Sequence, residues 1–165
     1  MRFLAVAMVV ILSGCAAPSG DHAAHVHQPS QAAVDHSAHA PAADARVMVQ
    51  FPEMLRTHTL ANMRDHLLAL AEIQDQLSRG AYDKASDIAE QRLGMLSLGL
   101  HGAHDVAKFM PQGMQAAGTG MHRSASQFAI VAKDASVTGD LKGSVAALAR
   151  VSQTCVACHA AYRIQ

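Results

Sequence analysis

From Val47 onward the apolar side chains of this chain recur at steps of three and four residues, and nowhere do they alternate every second residue over a sustained stretch. That spacing puts them on one stripe of an α-helix and excludes a half-buried sheet as the main architecture. In "FPEMLRTHTLANMRDHLLALAEIQDQLSRG", residues 51–80, Pro52 suits a first helical turn and Gly80 a C-terminal cap. Leu60, Met63, Leu67, Leu70, Ile73 and Leu77 form the stripe expected to face inward, with Arg64, Asp65, Glu72, Asp75 and Arg79 mostly elsewhere. A second helix is expected within residues 81–99, with Ile88, Leu93 and Leu96 inward. A loop, "LHGAHDVAKFMP", leads to a third, from about Pro111 to Ala135, carrying Met114, Met121, Phe128 and Val131. "SVTGDL" then turns the chain into a fourth, from about Asp140 to Arg163, along Leu141, Val145, Leu148 and Val151. Four amphipathic helices with short connections predict an all-α fold, an antiparallel four-helix bundle.

With 165 residues, half of them apolar, the chain can build one modest core. Tryptophan is absent and aromatics make up 4% of residues, so that core is short of large side chains and leaves volume for something else. Acids and bases balance at 13 each, which implies neither a nucleic-acid surface nor strong electrostatic steering. No nucleophile stands with a base, no glycine-rich phosphate loop occurs, and no carboxylate pair calls for acid-base catalysis, so the chain does not read as an enzyme.

Residues 1–14 read as a targeting segment: Arg2 precedes the apolar run "FLAVAMVVIL", which is too short for a stable membrane-spanning helix. The run ends in "LSGC", which resembles a bacterial lipobox with Cys15 as the acylated first residue of the mature chain. The expected location is the periplasmic side of a membrane, held by lipid, where disulfide and haem-thioether chemistry are both available. Ala16 and Ala17, with no Asp beside the cysteine, favour the outer membrane. Residues 15–46 then form a lipidated, His-rich tether whose Ala, Pro, Ser and His content cannot bury enough surface to order it. It repeats "DHAAH" and "DHSAH", so His22, His25, His27, His36 and His39 could wrap a Cu or Zn ion, or the segment is a soluble spacer. The folded domain is residues 47–165.

Two of the three cysteines lie in "CVACH", Cys155 to His159. On a helix Cys155, Cys158 and His159 stand at i, i+3 and i+4, so they share one face over a single turn. Covalent haem attachment needs that set: two thiols to add across the vinyl groups and an imidazole to ligate the iron. A thioredoxin-like dithiol expects a strand entering a helix, and a structural zinc site wants a second Cys or His pair at ligand spacing, which no neighbouring helix carries. A structural disulfide would leave His159 unexplained.

"GDL", a helix, then "CVACHAAYR", preceded by three helices, resembles the class II c-type cytochromes, cytochrome c-prime and its low-spin relatives. The resemblance covers residues 50–165, and its most specific residues are Cys155, Cys158, His159, Tyr162 and Arg163. It implies one covalent haem c near the C-terminus of the last helix, proximal ligation by His159 and a propionate partner in Arg163. In low-spin members a Met early in the first helix ligates the iron; counting back from "SRGAYDKA", the matching position is Met63, although Thr59 stands where the family usually has an Arg. His66, one turn on, is the rival. The family also implies a homodimer through the first two helices.

His101 and His104, with Met110, Met114, Met121 and His122, offer a weaker soft-metal set, and Tyr82 is expected to pack the turn after the first helix. The leading expectation is an electron carrier exchanging electrons with periplasmic or membrane redox proteins. The alternatives are a five-coordinate NO- or CO-binding cytochrome c-prime-like protein and a copper-handling lipoprotein.

Overall fold

The structure is a computed structural model that describes residues 43–165. The leader, Cys15 and the tether residues His22, His25, His27, His36 and His39 lie outside the described residues. The described chain is mostly helical. After β1 (Val47–Val49) come α1 (Glu53–Ser78), α2 (Tyr82–Arg92), a 3-10 turn (Met95–Leu98), α3 (Ala103–Ala107), α4 (Gln112–Thr138), α5 (Leu141–Ala161) and β2 (Tyr162–Ile164). None of these helices is long and apolar enough to cross a membrane.

The punctuation follows the local chemistry. Pro52 and Pro111, with φ of −53° and −56°, precede the first residues of α1 and α4, where a proline ring suits helix entry. Gly139, at φ +73°, ends α4 in the left-handed conformation open to a residue without Cβ. Asp140 then caps α5, its Oδ1 accepting from the Gly143 amide at 2.8 Å. Connections of two or three residues make α1 double back into α2 and α4 into α5.

α1 packs on α2, α2 on α4, and α4 on α5. One core cluster draws on all four: Ala69, Ile73 and Leu77, then Ala85, Ala89 and Leu93, then Ala125, Phe128 and Ala132, then Ala147, Leu148 and Val151. With so many alanines facing each other, the helices pack closely around Phe128, which is 1% exposed. Ser86 crosses the α2–α4 contact by donating to the Ala129 carbonyl at 2.8 Å. Arg92 ties α2 to α1 through Asp65 and Glu72. Tyr82 packs beside the core and donates to the Gly139 carbonyl at 3.3 Å, in keeping with its expected place at the turn.

Several sequence expectations need correction. On α1 the buried residues are Thr59, His66, Ala69, Ile73 and Leu77; Leu67 is 70% exposed, while Leu60, Met63 and Leu70 are half-buried. Against the alanine face of α2 the small Ala69 takes the inward place, and the stripe turns by about one residue. Likewise Ser144 and Ala147 are buried in α5 while Leu141 and Val145 are exposed. The second helix stops at Arg92, because Gly94 takes an extended ψ of −175° before the 3-10 turn, leaving Leu96 exposed. The loop holds the short helix α3. Finally β1 and β2 pair in parallel, Val47 opposite Tyr162 and Val49 opposite Ile164, three residues being too few to show an alternation in sequence.

Candidate cofactor site

α1 and α5 are not among the closely packed helix pairs, and a cavity of about 550 Å³ is lined by residues of both. From α5 and the residues after it come Cys155, Cys158, His159, Tyr162 and Arg163; from α1 comes Met63. All six cofactor residues expected from the sequence therefore line one space. Leu60, Val106, Met110, Met114, Ala117 and Gly118 give the cavity mostly apolar walls, into which Arg46, Thr59, His66, His101 and His122 bring polar groups.

The three α5 residues keep the helical register that the spacing required. Cys155 and Cys158 are free thiols, not a disulfide. Burial pushes both up from their ordinary pKa, and the Cys155 charge adds to the effect on Cys158. They are protonated at neutral pH, which is poor chemistry for a dithiol redox catalyst or a thiolate metal site. Beyond α5, the β1–β2 pairing fixes the chain that carries Tyr162 and Arg163 along one wall. A Cβ on Gly113 would collide with the Tyr162 hydroxyl, so the glycine lets α4 accept that ring closely.

Polar atoms without partners are concentrated here. Among the described residues three buried side-chain atoms lack a hydrogen bond, Thr59 Oγ1, His66 Nε2 and Arg163 Nε, and all three residues line this cavity. Arg163 Nε lies 3.4 Å from Asp44 Oδ2, a charge contact without hydrogen-bond geometry. Arg46, at the end of the expected tether, also lines the cavity and donates to the His159 carbonyl at 3.4 Å. Arg46 is held by Asp44 through two contacts of 2.9 and 2.7 Å, so an anionic substituent would meet Arg46 and Arg163 sharing one carboxylate. Buried polar groups left unpaired cost about 1–3 kcal/mol each, and partners carried by a bound group would relieve that cost.

The structure also assembles what spacing had kept apart. His66 from α1, His101 from the segment before α3 and His122 from α4 form a ring cluster, with centroids 4.7 Å apart for His66–His101, 5.3 Å for His101–His122 and 6.1 Å for His66–His122. All three line the same cavity, whereas His104 turns outward beside Asp105. Of the soft-metal set expected from the sequence, His101, His122, Met110, Met114 and Met121 line this cavity and His104 does not; His66 joins them through the way three segments pack.

Burial first, and then the like charges of His101 and His122, hold His66 down from 6.5 to about 4. Asp65, itself engaged by Arg92, opposes this only weakly. A lowered histidine pKa means that the unfolded chain binds the proton first, so stability is fully present above about 6.5 and is lost as the pH falls toward 4. For chelator-treated protein, His66 alone should cost about 2 kcal/mol between pH 7 and pH 5. Urea unfolding midpoints across that range measure it, and His66→Asn should flatten the decline.

Compared with protein-family models, curated proteins and solved structures, the chain matches none of them.

Proposed function

We propose that the chain is a monohaem c-type cytochrome that carries electrons on the periplasmic side of a membrane. The observation that carries this reading is the convergence of Cys155, Cys158, His159 and Met63 on one largely apolar cavity. On this reading the four long helices form an antiparallel four-helix bundle of the class II cytochrome type, with the haem site between α1 and α5. The residues fit the group: two thiols and an imidazole one turn long on α5, a neutral thioether on α1, and Arg46 and Arg163 for carboxylates. When bound, haem supplies an iron that changes oxidation state by one electron.

The chain's own contribution is to exclude water, hold the ligands and set the charge around them. Met63 is half-buried and brings no charge, so it can face the cavity without the desolvation cost of an ionised ligand. Thioether sulfur favours the reduced ion and so raises the potential relative to a bis-imidazole pair. Redox partners would be periplasmic or membrane proteins. The exposed Leu67 and Leu68 of α1 support a homodimer through the first helices.

Covalency tests the reading. Protein from a host with c-type maturation should retain haem stain in SDS and yield none to acidified acetone; haem that extracts freely sinks the proposal. The anchor is tested separately: Cys15→Ser should move the protein from the membrane fraction to the soluble fraction, and an unchanged distribution would remove the lipoprotein assignment.

A further inference from the structure

The cavity carries a second donor set that the haem reading does not use. His122 Nδ1 donates to the Leu93 carbonyl at 2.7 Å, which leaves the lone pair on Nε2. Ser97 Oγ donates to the Gly94 carbonyl at 2.7 Å and so accepts from His101 Nδ1 at 3.3 Å, which again leaves the lone pair on Nε2. His66 is 7% exposed, and its Nε2 has no partner. A histidine that gives its other ring proton to a carbonyl or hydroxyl is oriented as metal-bound histidines are.

Ring separation supports the same conclusion. With metal–nitrogen bonds of about 2.0–2.1 Å in tetrahedral geometry, imidazole centroids around one ion lie about 5.2 Å apart. The observed 4.7, 5.3 and 6.1 Å bracket that value. Among the described residues no three His, Cys, Asp or Glu donors already stand in a metal-holding arrangement. Closing the set falls to the His66 ring, since hydrogen bonds fix His101 and His122 and none holds His66 Nε2.

We propose that His66, His101 and His122 bind one copper ion, as Cu(I), through their Nε2 atoms. The ligands are neutral and the nearest carboxylate, that of Asp65, is committed to Arg92, so a single positive charge is less costly to bury than a double one. The same cavity presents the thioethers of Met114 and Met121, whose softness suits Cu(I) over Zn(II). The site uses neither thiol, nor His159, nor Met63, so it and the haem reading can fail independently.

The test uses the full mature chain with His22, His25, His27, His36 and His39 each changed to Ala, so that the tether cannot supply the metal. Anaerobic titration with Cu(I) against a competing chelator should show one tightly held equivalent, and X-ray absorption should show three imidazole nitrogens on the copper. His101→Ala, at a half-exposed position, and His122→Gln should each weaken binding by roughly 100-fold or more, since even outer-shell changes cost 10–100-fold. Covalent haem content and circular dichroism should stay unchanged in both. Absence of a tight equivalent, sulfur-only coordination, affinity indifferent to both substitutions, or tighter binding of Zn(II) would overturn the assignment.

Discussion

Replacing Cys155 and Cys158 together by alanine should leave a chain that retains no haem through denaturation and unfolds far more easily than the parent. Both thiols line the cavity between α1 and α5, and neither has another bonding role in the structure. The loss is large because the core has few aromatic side chains to make up the volume. Phe128 is the only aromatic residue in the buried helical cluster, and the rest of that cluster is aliphatic or alanine. An attached haem stays on the unfolded chain, so its contribution is the packing it supplies to the cavity in the folded state, and losing that should cost about 3–5 kcal/mol, as truncating a large buried aromatic does. Losing that much should lower the melting temperature by roughly 10–20 °C. Each single variant should keep one thioether and most of the haem stain. A double variant with parental melting temperature would show that the cavity holds nothing of consequence.

The second large effect is expected at Met63. Met63→Ala should turn a low-spin ferric spectrum into a high-spin one, lower the reduction potential and admit CO to the ferrous protein. The structural cost should be modest, about 1–2 kcal/mol, because the side chain is half-buried and borders a cavity where truncation removes few packing contacts. That separation of a large spectral change from a small stability change distinguishes an iron ligand from core filler. His66→Ala, one turn away, should leave spin state and potential as they were. If Met63→Ala stays low-spin, the sixth ligand moves to His66 or to a methionine of α4.

Much of this was legible in the sequence where the signal is local. Helix starts at Pro52 and Pro111, the turns at Gly80 and Gly139, and the shared face of Cys155, Cys158 and His159 depend only on a few adjacent residues. Which stripe of α1 turns inward was less legible, because alanine in α2 and α4 draws the helices close and small side chains displace leucine from the contact. The parallel pairing of Val47–Val49 with Tyr162–Ile164 joins residues more than a hundred positions apart, and strands of three residues carry no periodic signal. The histidine cluster was legible only in part: His101 and His122 stand together in the soft-metal set, but nothing local adds His66 to it. His66, His101 and His122 have no common spacing, and only the docking of α1, α4 and the segment before α3 brings them together.

The central claim is a covalent haem held by His159 and Met63, and the paired absorption spectra of the purified full chain, oxidised and then reduced, test it most directly. A haem ligated in this way should give a low-spin spectrum in both states, a weak red band of methionine-to-Fe(III) charge transfer in the oxidised protein, and little change on adding CO to the reduced one. A high-spin ferric spectrum with ready CO binding would contradict Met63 ligation and favour a gas-binding protein, and a protein with no haem absorbance would contradict the account as a whole.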